Sequence, residues 1–533
     1  MVSPSPTPTP TRAAADPASS GKVAATVAPA RHKREPLVKP SYSNLALELP
    51  LASSATGSAE NLKRLRSNAE YEGSAGSWRK LADAAVEAES FSTAHEAYSK
   101  EAAIYRNLGH TQAAIAEEIK ARKYATERGF YVSVGAPKPE HKLERLEPAR
   151  GCYVGAFIDR DDTLEKRHFQ SQRHGDIPQF NEMVQKPHSS FFMYRSYGKP
   201  FPRQWAEYCK ENGAIPHIAW EPRSLEEVKD DDYLHTFIEE AAQLDHPVIL
   251  RFASEMNGEW TRYHGDPAAY KKMFRMVYQA TRKAPKVALM WCPNSVPQKS
   301  IKDYYPGDDS VDWVGVNFYS VPFLDNDPKR PGDLLYPTDH LRYVYETYSK
   351  KKPIAVGEWA ASQATALSDK PLTKFGITKM SQLYATIPLR YPRVKMVNWY
   401  DCNNLIQAKS DRRLNNYQLT KPQAVLEAYQ RAVSNRYYLS PDKVAPFHYK
   451  AVEKSFDLGP SDEFRLWLKS YDPTLKVYFQ VGDKVVQASD DPLNWYLTGE
   501  QLRPYGKGLL VMKAYDSKDR EVCKLQMKFK VNS

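Results

Sequence analysis

Two glutamates, Glu255 and Glu358, each follow a short apolar run of the kind that forms a buried strand. Glu255 lies in the segment 251–260, where an amide and an indole accompany it, and Glu358 lies in the segment 354–359. Two carboxyls that face each other across one cleft can hydrolyse a glycosidic bond. One protonates the leaving oxygen and the other attacks the sugar, and in retaining enzymes they stand about 5–5.5 Å apart. For either glutamate alone, solvent exposure or a structural ion pair is the alternative.

Three further polar side chains follow apolar runs in the same way, namely Glu221, Asn294 and Tyr319. Glu221 is a rival third carboxylate, which we interpret as a substrate ligand or a structural ligand. Aromatic rings near the same ends, above all Trp260 and Trp399, suit the apolar faces of sugar rings, with core packing as the alternative. These positions predict one polar cleft that is rimmed by aromatic side chains.

Between about residues 150 and 435 the pattern alternates strand, turn and helix. The β-rich runs are Cys152–Ile158, Ser190–Arg195, Ala214–Trp220, Pro247–Ala253, Lys286–Trp291, Val311–Tyr319, Pro353–Val356 and Val394–Trp399. Such runs with helical crossovers predict an α/β fold, a (β/α)8 TIM barrel, whose chemistry lies at the C-terminal ends of the strands. A doubly wound open sheet is the alternative, but it often carries a Gly-rich phosphate turn after its first strand. This chain has Asp159-Arg160-Asp161-Asp162 there instead.

Composition divides the rest of the chain. Residues 1–58, rich in Pro, Thr and Ala, predict a disordered tail. Residues 59–135 predict a small helical segment that resembles a tetratricopeptide helix pair, with the pattern residues Trp78, Leu81, Ala82, Ala85, Ala94 and Tyr98. The barrel is expected over residues 145–437. From 438 to 533, alternating apolar residues predict an all-β sandwich of immunoglobulin-like architecture.

Overall composition excludes several classes of protein. The 533 residues include 75 basic and 64 acidic ones, but charges of both signs are interleaved and no basic stripe marks a nucleic-acid binder. No apolar run is long enough to predict a membrane-spanning helix. Five scattered cysteines exclude a disulfide-stapled mini-domain and a zinc-finger array. The Pro/Thr-rich start favours an extracellular or cell-surface protein although no signal peptide is visible, and a cytoplasmic location is the alternative.

The segment 251–260 is similar to the motif R-x-x-H-E-M-N-G-x-W of glycoside hydrolase family 26, with Ser254 in place of the histidine. Residues 311–319, which end in Tyr319, resemble the sixth strand of that family. The resemblance covers roughly the middle half of the chain. It implies a β-mannanase-type (β/α)8 enzyme that cleaves a polysaccharide such as β-mannan with retention and needs no metal or organic cofactor.

The resemblance also implies a role for each matching residue. Glu255 is the general acid/base and Glu358 the nucleophile, to which Tyr319 donates a hydrogen bond. Trp399 is the stacking platform for the reacting sugar. The remaining substrate-binding residues are expected to be Arg251, Asn257, Trp260, Glu221 and Asn294.

Two functions of other classes stay open at this point. One is a non-catalytic glycan-binding or cell-wall scaffold protein that has kept the barrel. The other is a protein-docking role for the helices within residues 60–130. The presence of both glutamates together with Tyr319 favours the enzyme.

Overall fold

A computed structural model describes residues 59–135, 139, 141–471 and 475–532. The predicted tail at residues 1–58 lies outside the described residues. The first described part is helical, with α1 (Ala59–Glu72), α2 (Ala75–Glu87), α3 (Phe91–Asn107) and α4 (Thr111–Lys123). Ser74 begins α2 because its hydroxyl accepts a hydrogen bond from the Ser77 N–H.

The tetratricopeptide-like positions of α2 and α3 are buried, and they form the small core of this helical segment. Ile115 and Ile119 on α4, which lie one 34-residue repeat length after Leu81 and Ala85, are exposed instead. The helices therefore contain one packed unit and the start of another. In the part of the chain that the structure describes, no helix is both long enough and apolar enough to cross a bilayer.

Strand β1 (Glu127–Gly135) follows the helices and precedes the barrel. The next strands are β2 (Cys152–Arg160), β3 (Lys166–Phe169), β4 (Gln172–Gly175), β5 (Ser190–Ser196), β6 (Ile215–Glu221), β7 (Val248–Phe252), β8 (Val287–Trp291), β9 (Trp313–Ser320), β10 (Ile354–Ala361), β11 (Ala364–Thr365), β12 (Val394–Cys402), β13 (Asn415–Asn416) and β14 (Tyr438–Leu439).

Eight of these strands form a closed parallel barrel. Strands β2, β5, β6, β7, β8, β9, β10 and β12 pair in that order, and β12 pairs back with β2. Strand β14 adds a parallel pairing on the outside of β2. The (β/α)8 barrel predicted from the apolar runs is confirmed.

Helices cover the outside of the barrel. They are α5 (Ile177–Met183), α6 (Arg203–Glu211), α7 (Asp232–Gln243), α8 (Pro267–Thr281), α9 (Pro337–Tyr348), α10 (Thr373–Arg390) and α12 (Gln423–Ser434). The short helix α11 (Asn404–Gln407) follows β12 and has no buried residue. Aspartates begin α7 and α8, since the side chains of Asp231 and Asp266 accept hydrogen bonds from backbone N–H groups of the first turn. Short 3₁₀ segments occupy Gln298–Tyr304, Asp308–Ser310, Leu324–Asn326 and Ser410–Arg412.

The barrel has an inner and an outer core because successive strand residues point to opposite faces. The inner core includes Ile249, Met290, Ala355 and Met396, whereas alternate residues of the same strands pack outward against the helices. Strand β10 departs from this alternation. Its register with β9 slips between Val356 and Glu358, where a β-bulge lies.

The described C-terminal part contains β-sheets, as the alternating apolar residues predict. Its elements are β15 (Phe447–Val452), β16 (Ser455–Leu458), β17 (Glu463–Lys469), β18 (Lys476–Val481), β19 (Lys484–Ser489), the 3₁₀ segment Pro492–Asn494, β20 (Tyr496–Thr498), α13 (Gly499–Leu502), the 3₁₀ segment Arg503–Tyr505, β21 (Lys507–Tyr515) and β22 (Glu521–Val531). One sheet has the order β15-β1-β17-β20 and the other the order β16-β22-β21-β18-β19. The immunoglobulin-like architecture stays a prediction.

Strand β1 belongs to this C-terminal region, although the sequence analysis placed residues 127–135 in the helical segment. It pairs antiparallel with both β15 and β17. Phe130, Val132 and Val134 alternate along it and pack on the core between the two C-terminal sheets. Because its partners lie far along the chain, no local pattern predicts where this strand docks.

The C-terminal sheets also contact the barrel helices directly. The Lys469 ammonium donates to the Asp339 carboxylate at 2.6 Å, and both side chains are buried. The Trp467 indole donates to the Thr386 hydroxyl at 3.1 Å. A buried ion pair of this kind is costly to break, because either partner alone would be an uncompensated charge.

We expect a buried histidine to make the stability of the barrel depend on pH. His188 is buried before β5 and contacts the Tyr429 hydroxyl at 2.7 Å through Nε2. Burial lowers the pKa of His188 to about 4, whereas an unfolded histidine titrates near 6.5. Between these values the unfolded state binds more protons, so stability is lost as the pH falls from about 6.5 to about 4.

His188→Gln should remove the part of this pH dependence that His188 contributes. The difference in unfolding free energy between pH 7 and pH 4.5 should shrink by up to about 3 kcal/mol, as followed by urea unfolding. His110→Gln is the matched control, because His110 is exposed on the helical segment. An equal change in both variants, or none in His188→Gln, would contradict the expectation.

Candidate active site

The Glu358 carboxylate is buried at the C-terminal end of β10 and accepts three hydrogen bonds. The Tyr194 hydroxyl donates to Oε1 at 2.7 Å and the Tyr319 hydroxyl donates to Oε2 at 2.8 Å. The Arg251 guanidinium forms an ion pair with Oε1 through Nη2. These donors come from three different strands, β5, β7 and β9, so the closed barrel itself assembles them around Glu358.

The donors around Glu358 hold their protons firmly. Burial, followed by the negative charge of Glu358, raises the pKa of Tyr194 and of Tyr319 well above that of an ordinary tyrosine. Burial alone would lower the pKa of Arg251, but the Glu358 carboxylate and other neighbours raise it overall. All three groups therefore remain hydrogen-bond donors to Glu358 at any working pH.

The Glu255 carboxylate lies just after β7 and faces uncharged donors. The Trp260 indole donates to Oε2 at 2.6 Å, while the Asn294 and Asn317 amides donate to Oε1 at 3.1 and 3.0 Å. Ala253 and Glu255 themselves have positive φ angles of 46° and 60°. Non-glycine residues seldom adopt this conformation, which here turns the chain so that Glu255 faces the cleft.

The residues after Glu255 explain the glycine and the asparagine of the motif. A side chain at Gly258 would meet the Trp260 ring at 2.3 Å, so only glycine fits beneath the indole. Asn257 is buried, and its amide braces the next loop by donating to the Asn294 carbonyl at 2.9 Å while accepting from the Asn294 N–H at 2.9 Å. Asn257 thus holds Asn294 in place instead of facing the cleft.

Glu221 is the third carboxylate at this end of the barrel. The Ser254 backbone N–H donates to it at 3.1 Å, the Tyr263 hydroxyl donates at 2.7 Å, and the Ser254 hydroxyl contacts its other oxygen. Burial raises the pKa of Glu221, against the hydrogen bonds from Ser254 and Tyr263 and the charge of Arg251. The serine that replaces the motif histidine is therefore a partner of Glu221.

Trp399 does not lie in the cleft, contrary to the expected stacking role. Its side chain is 0% exposed, packs edge-on against Trp359 at 4.8 Å, and donates to the Tyr417 carbonyl at 3.0 Å. It points outward, into the core beneath the helices. The next residue, Tyr400, points the other way and packs against Tyr319 at the barrel mouth.

Arg251 also differs from its expected role. It is fully buried beneath Glu358 and also lies over the rings of Phe192 and Tyr194. A guanidinium without exposed surface contacts the carboxylate and not a substrate. Of the residues expected to bind substrate, Trp260, Asn294, Tyr319 and Glu221 lie at the cleft, whereas Asn257 and Arg251 support it from behind.

Two residues of the site were missed by the sequence analysis. Tyr194 lies near the end of the second barrel strand, β5, and is 36% exposed as a residue, while Asn317 lies two residues before Tyr319. Period-two alternation places Asn317 on the same face as Tyr319, so the parity of the strand was a signal for it. Tyr194 ends the largely aromatic run Phe191-Phe192-Met193-Tyr194, which by itself predicts packing in the core.

The two glutamates thus have unlike surroundings at one end of the barrel. Glu358 faces a cation and two tyrosine hydroxyls, whereas Glu255 faces three N–H groups of uncharged side chains. Pairs of carboxyls in unlike environments are typical of sites where one group works as an anion and the other exchanges a proton.

The chain is similar to known proteins over part of its length. Residues 205–329 match the family model described as glycosyl hydrolase family 26. Over 95 residues the chain is 35% identical to a β-1,3-xylanase from Alcaligenes sp., a match that covers 16% of this chain and 19% of the relative. It is 34% identical to a β-1,3-xylanase from Vibrio sp. over the same length, covering 16% and 20%. The chain therefore spans about a fifth of the length of these two relatives.

Solved structures also align with part of the chain. A β-mannanase from Bacteroides ovatus aligns with 15% identity and a TM-score of 0.38, covering 56% of this chain and 93% of that protein.

Proposed function

We propose that this protein is a retaining glycoside hydrolase that acts on a β-linked polysaccharide. Its residues 205–329 match the family model of glycosyl hydrolase family 26. The observation that carries the proposal is that Glu255 and Glu358 lie at the same end of the barrel, after β7 and on β10, each with its own set of donors. A scaffold protein would not need three hydrogen-bond donors around Glu358.

In the first step Glu358 attacks the anomeric carbon of the bound sugar. Glu255 gives its proton to the departing glycosidic oxygen, so the bond breaks and a covalent glycosyl-enzyme forms. Arg251, Tyr194 and Tyr319 hold the attacking oxygens in place and lose part of their interaction as the carboxylate charge disappears.

In the second step Glu255, now a carboxylate, accepts a proton from water, and the water attacks the anomeric carbon. The bond to Glu358 breaks, and both side chains return to their initial charge states. The donors from Trp260, Asn294 and Asn317 stabilise the carboxylate form of Glu255 at this stage. No metal or organic cofactor takes part in either step.

For the substrate, we propose β-1,3-xylan first and β-mannan second. The β-1,3-xylanases are similar in sequence to part of this chain, whereas mannan follows only from the motif resemblance. Glu221, which Ser254 and Tyr263 hold at the cleft by hydrogen bonds, supplies a carboxylate as an acceptor for a sugar hydroxyl. The Trp260 ring, which is half-buried beside Glu255, is suited to the apolar face of a sugar.

A polysaccharide panel tests the proposal. The purified protein is incubated with β-1,3-xylan, β-1,4-xylan, β-mannan and β-glucan, and reducing ends are measured beside Glu358→Gln. We expect release from at least one polymer by the wild type and none by the variant. Binding to a polymer without release of reducing ends would support the glycan-binding alternative instead.

Tyr194 offers a further test, because it was not expected to contact the nucleophile. Tyr194→Phe removes one hydrogen bond to a charged group, a loss of about 1.5–3 kcal/mol. We therefore expect kcat/KM to fall about 10- to 150-fold. Tyr233→Phe is the control, since the Tyr233 hydroxyl donates to the Lys199 carbonyl. An unchanged kcat/KM in Tyr194→Phe would show that this contact does not help the reaction.

A further inference from the structure

Asn317 links the two catalytic carboxylates through a chain of hydrogen bonds. Its Nδ2 donates to Glu255 Oε1 at 3.0 Å, and its Oδ1 accepts from Arg251 Nη1 at 3.4 Å. The other terminal nitrogen of Arg251 holds Glu358. We propose that Asn317 is a positioning residue that transmits the charge state of Glu358 to Glu255 during the reaction. This inference rests on the proposed function.

The orientation of the Asn317 amide follows from its donors. Its oxygen faces Arg251 and also the Cys292 thiol, at 3.1 Å from Sγ. A flipped amide would place its NH2 group against the Arg251 donor and its oxygen against the Glu255 carboxylate, so both contacts would be lost. In the observed orientation the amide oxygen faces the Arg251 donor and the NH2 group faces the Glu255 acceptor.

The amide also has little room to move. Asn317 is 1% exposed, its N–H donates to the Pro293 carbonyl at 2.9 Å, and its carbonyl accepts from the Ser295 N–H at 2.9 Å. A side-chain carbon at Gly357 would lie 2.6 Å from Asn317 Oδ1, so the glycine of the β10 bulge makes space for the amide. The backbone hydrogen bonds to Pro293 and Ser295 on one side and the Gly357 backbone on the other therefore fix the position of the Asn317 amide.

The charge on Glu358 changes during the reaction. In the free enzyme the positive charge of Arg251 is balanced by the Glu358 carboxylate. In the glycosyl-enzyme Glu358 is an uncharged ester, so Arg251 polarises the Asn317 amide more strongly and strengthens its N–H as a donor. That change favours the carboxylate form of Glu255 at the step where Glu255 must accept a proton from water.

Other titratable groups face the same two carboxylates. Those near Glu255 are Tyr263 after β7, Cys292 after β8 and Tyr319 on β9. Those near Glu358 are Tyr194 on β5, Glu221 on β6, Arg251 on β7, Cys292, Tyr319 and Tyr400 on β12. Among the hydrogen bonds of the described residues, Asn317 is the side chain that contacts both Glu255 and Arg251.

Asn294 supplies a matched control. It donates to the same Glu255 oxygen at 3.1 Å, but its own side-chain oxygen accepts from the Val296 N–H. Asn317→Ala and Asn294→Ala therefore each remove one donor to Glu255 Oε1. Asn317→Ala alone also removes the acceptor for Arg251.

The test compares two pH profiles for each variant. The basic limb of kcat/KM on an oligosaccharide of the polymer that the panel identifies reports the acid role of Glu255 in the free enzyme. The acidic limb of kcat on the matching 2,4-dinitrophenyl β-glycoside, with hydrolysis of the glycosyl-enzyme as the slow step, reports its base role. Each limb has a midpoint pH. The difference between the midpoint of the basic limb and that of the acidic limb, called the gap below, measures how strongly the charge state of Glu358 affects Glu255.

We expect Asn317→Ala to reduce this gap by about 0.5–1 pH unit, whereas Asn294→Ala should move both limbs together and leave the gap as in the wild type. Equal gaps in the two variants would overturn the proposal. Asn317→Leu, of similar volume and without polar atoms, replaces the alanine variant if that one does not fold. Absence of turnover by the wild type on every polymer would defeat the proposed function itself, whereas turnover with equal gaps would defeat only the coupling.

Discussion

Glu358→Ala should reduce turnover of every glycan by about 10⁵- to 10⁶-fold, the scale that removal of a catalytic nucleophile produces in other enzymes. Without the carboxylate no glycosyl-enzyme forms, and the two-step route is closed. The structure adds a reason for a large loss, because Arg251, Tyr194 and Tyr319 would keep their places with no anion between them. Initial rates of reducing-end release measure the effect.

Glu259→Ala is the matched control for Glu358→Ala, since Glu259 is an exposed carboxylate close to the same cleft. It should keep wild-type rates. Circular dichroism would show whether Glu358→Ala stays folded. Activity near the wild-type level in a folded Glu358→Ala protein would refute the nucleophile assignment.

Glu255→Ala should behave differently, because two changes compensate for a missing acid/base. A good leaving group departs without a proton, and an added anion can attack in place of the activated water. On a natural glycan the rate should fall by at least about 10²- to 10⁴-fold, the usual contribution of general acid–base help. On an aryl glycoside whose leaving group needs no proton, the first step should persist and the second should become slow. A burst of phenolate followed by slow turnover would be the signature.

Azide should rescue Glu255→Ala and give a β-glycosyl azide. The indole N–H of Trp260 and the amides of Asn294 and Asn317 would remain around the vacated position, and these donors suit a small anion. Product stereochemistry by NMR provides the measurement. A β-azide from Glu358→Ala, with an α-azide from Glu255→Ala, would reverse the two roles, because the variant that lacks the nucleophile gives the inverted product.

The sequence predicted the barrel and the place of its polar residues well, because both depend on local patterns. Continuous apolar runs identify parallel strands that are covered on both faces, and the ends of parallel strands meet at one edge. Glu255 and Glu358 could therefore be assigned to one cleft without any knowledge of their distance. Gly258 and Trp260 follow from the same motif, in which the indole needs a residue without a side chain beneath it.

The remaining errors concern which face of a strand a residue occupies and which distant strand it pairs with. Tyr400, and not Trp399, faces the barrel mouth. Alternate residues of β12 point inward and outward, and the run Asn398-Trp399-Tyr400 alone does not reveal which of them point inward. The bulge at Gly357 is a tertiary feature that brings the next residue, Glu358, into the cleft. The docking of β1 likewise depends on strands more than 300 residues away.

The position of β1 has a consequence for how the protein is made. It leaves the ribosome about 310 residues before β15, its first antiparallel partner. At about 5–20 residues per second this interval lasts roughly 15–60 s. During that time an alternating strand with unpaired backbone groups is available to other nascent chains, and such edges promote aggregation. The yield of this protein should therefore depend on how well the cell shields one early strand while it synthesises an entire barrel.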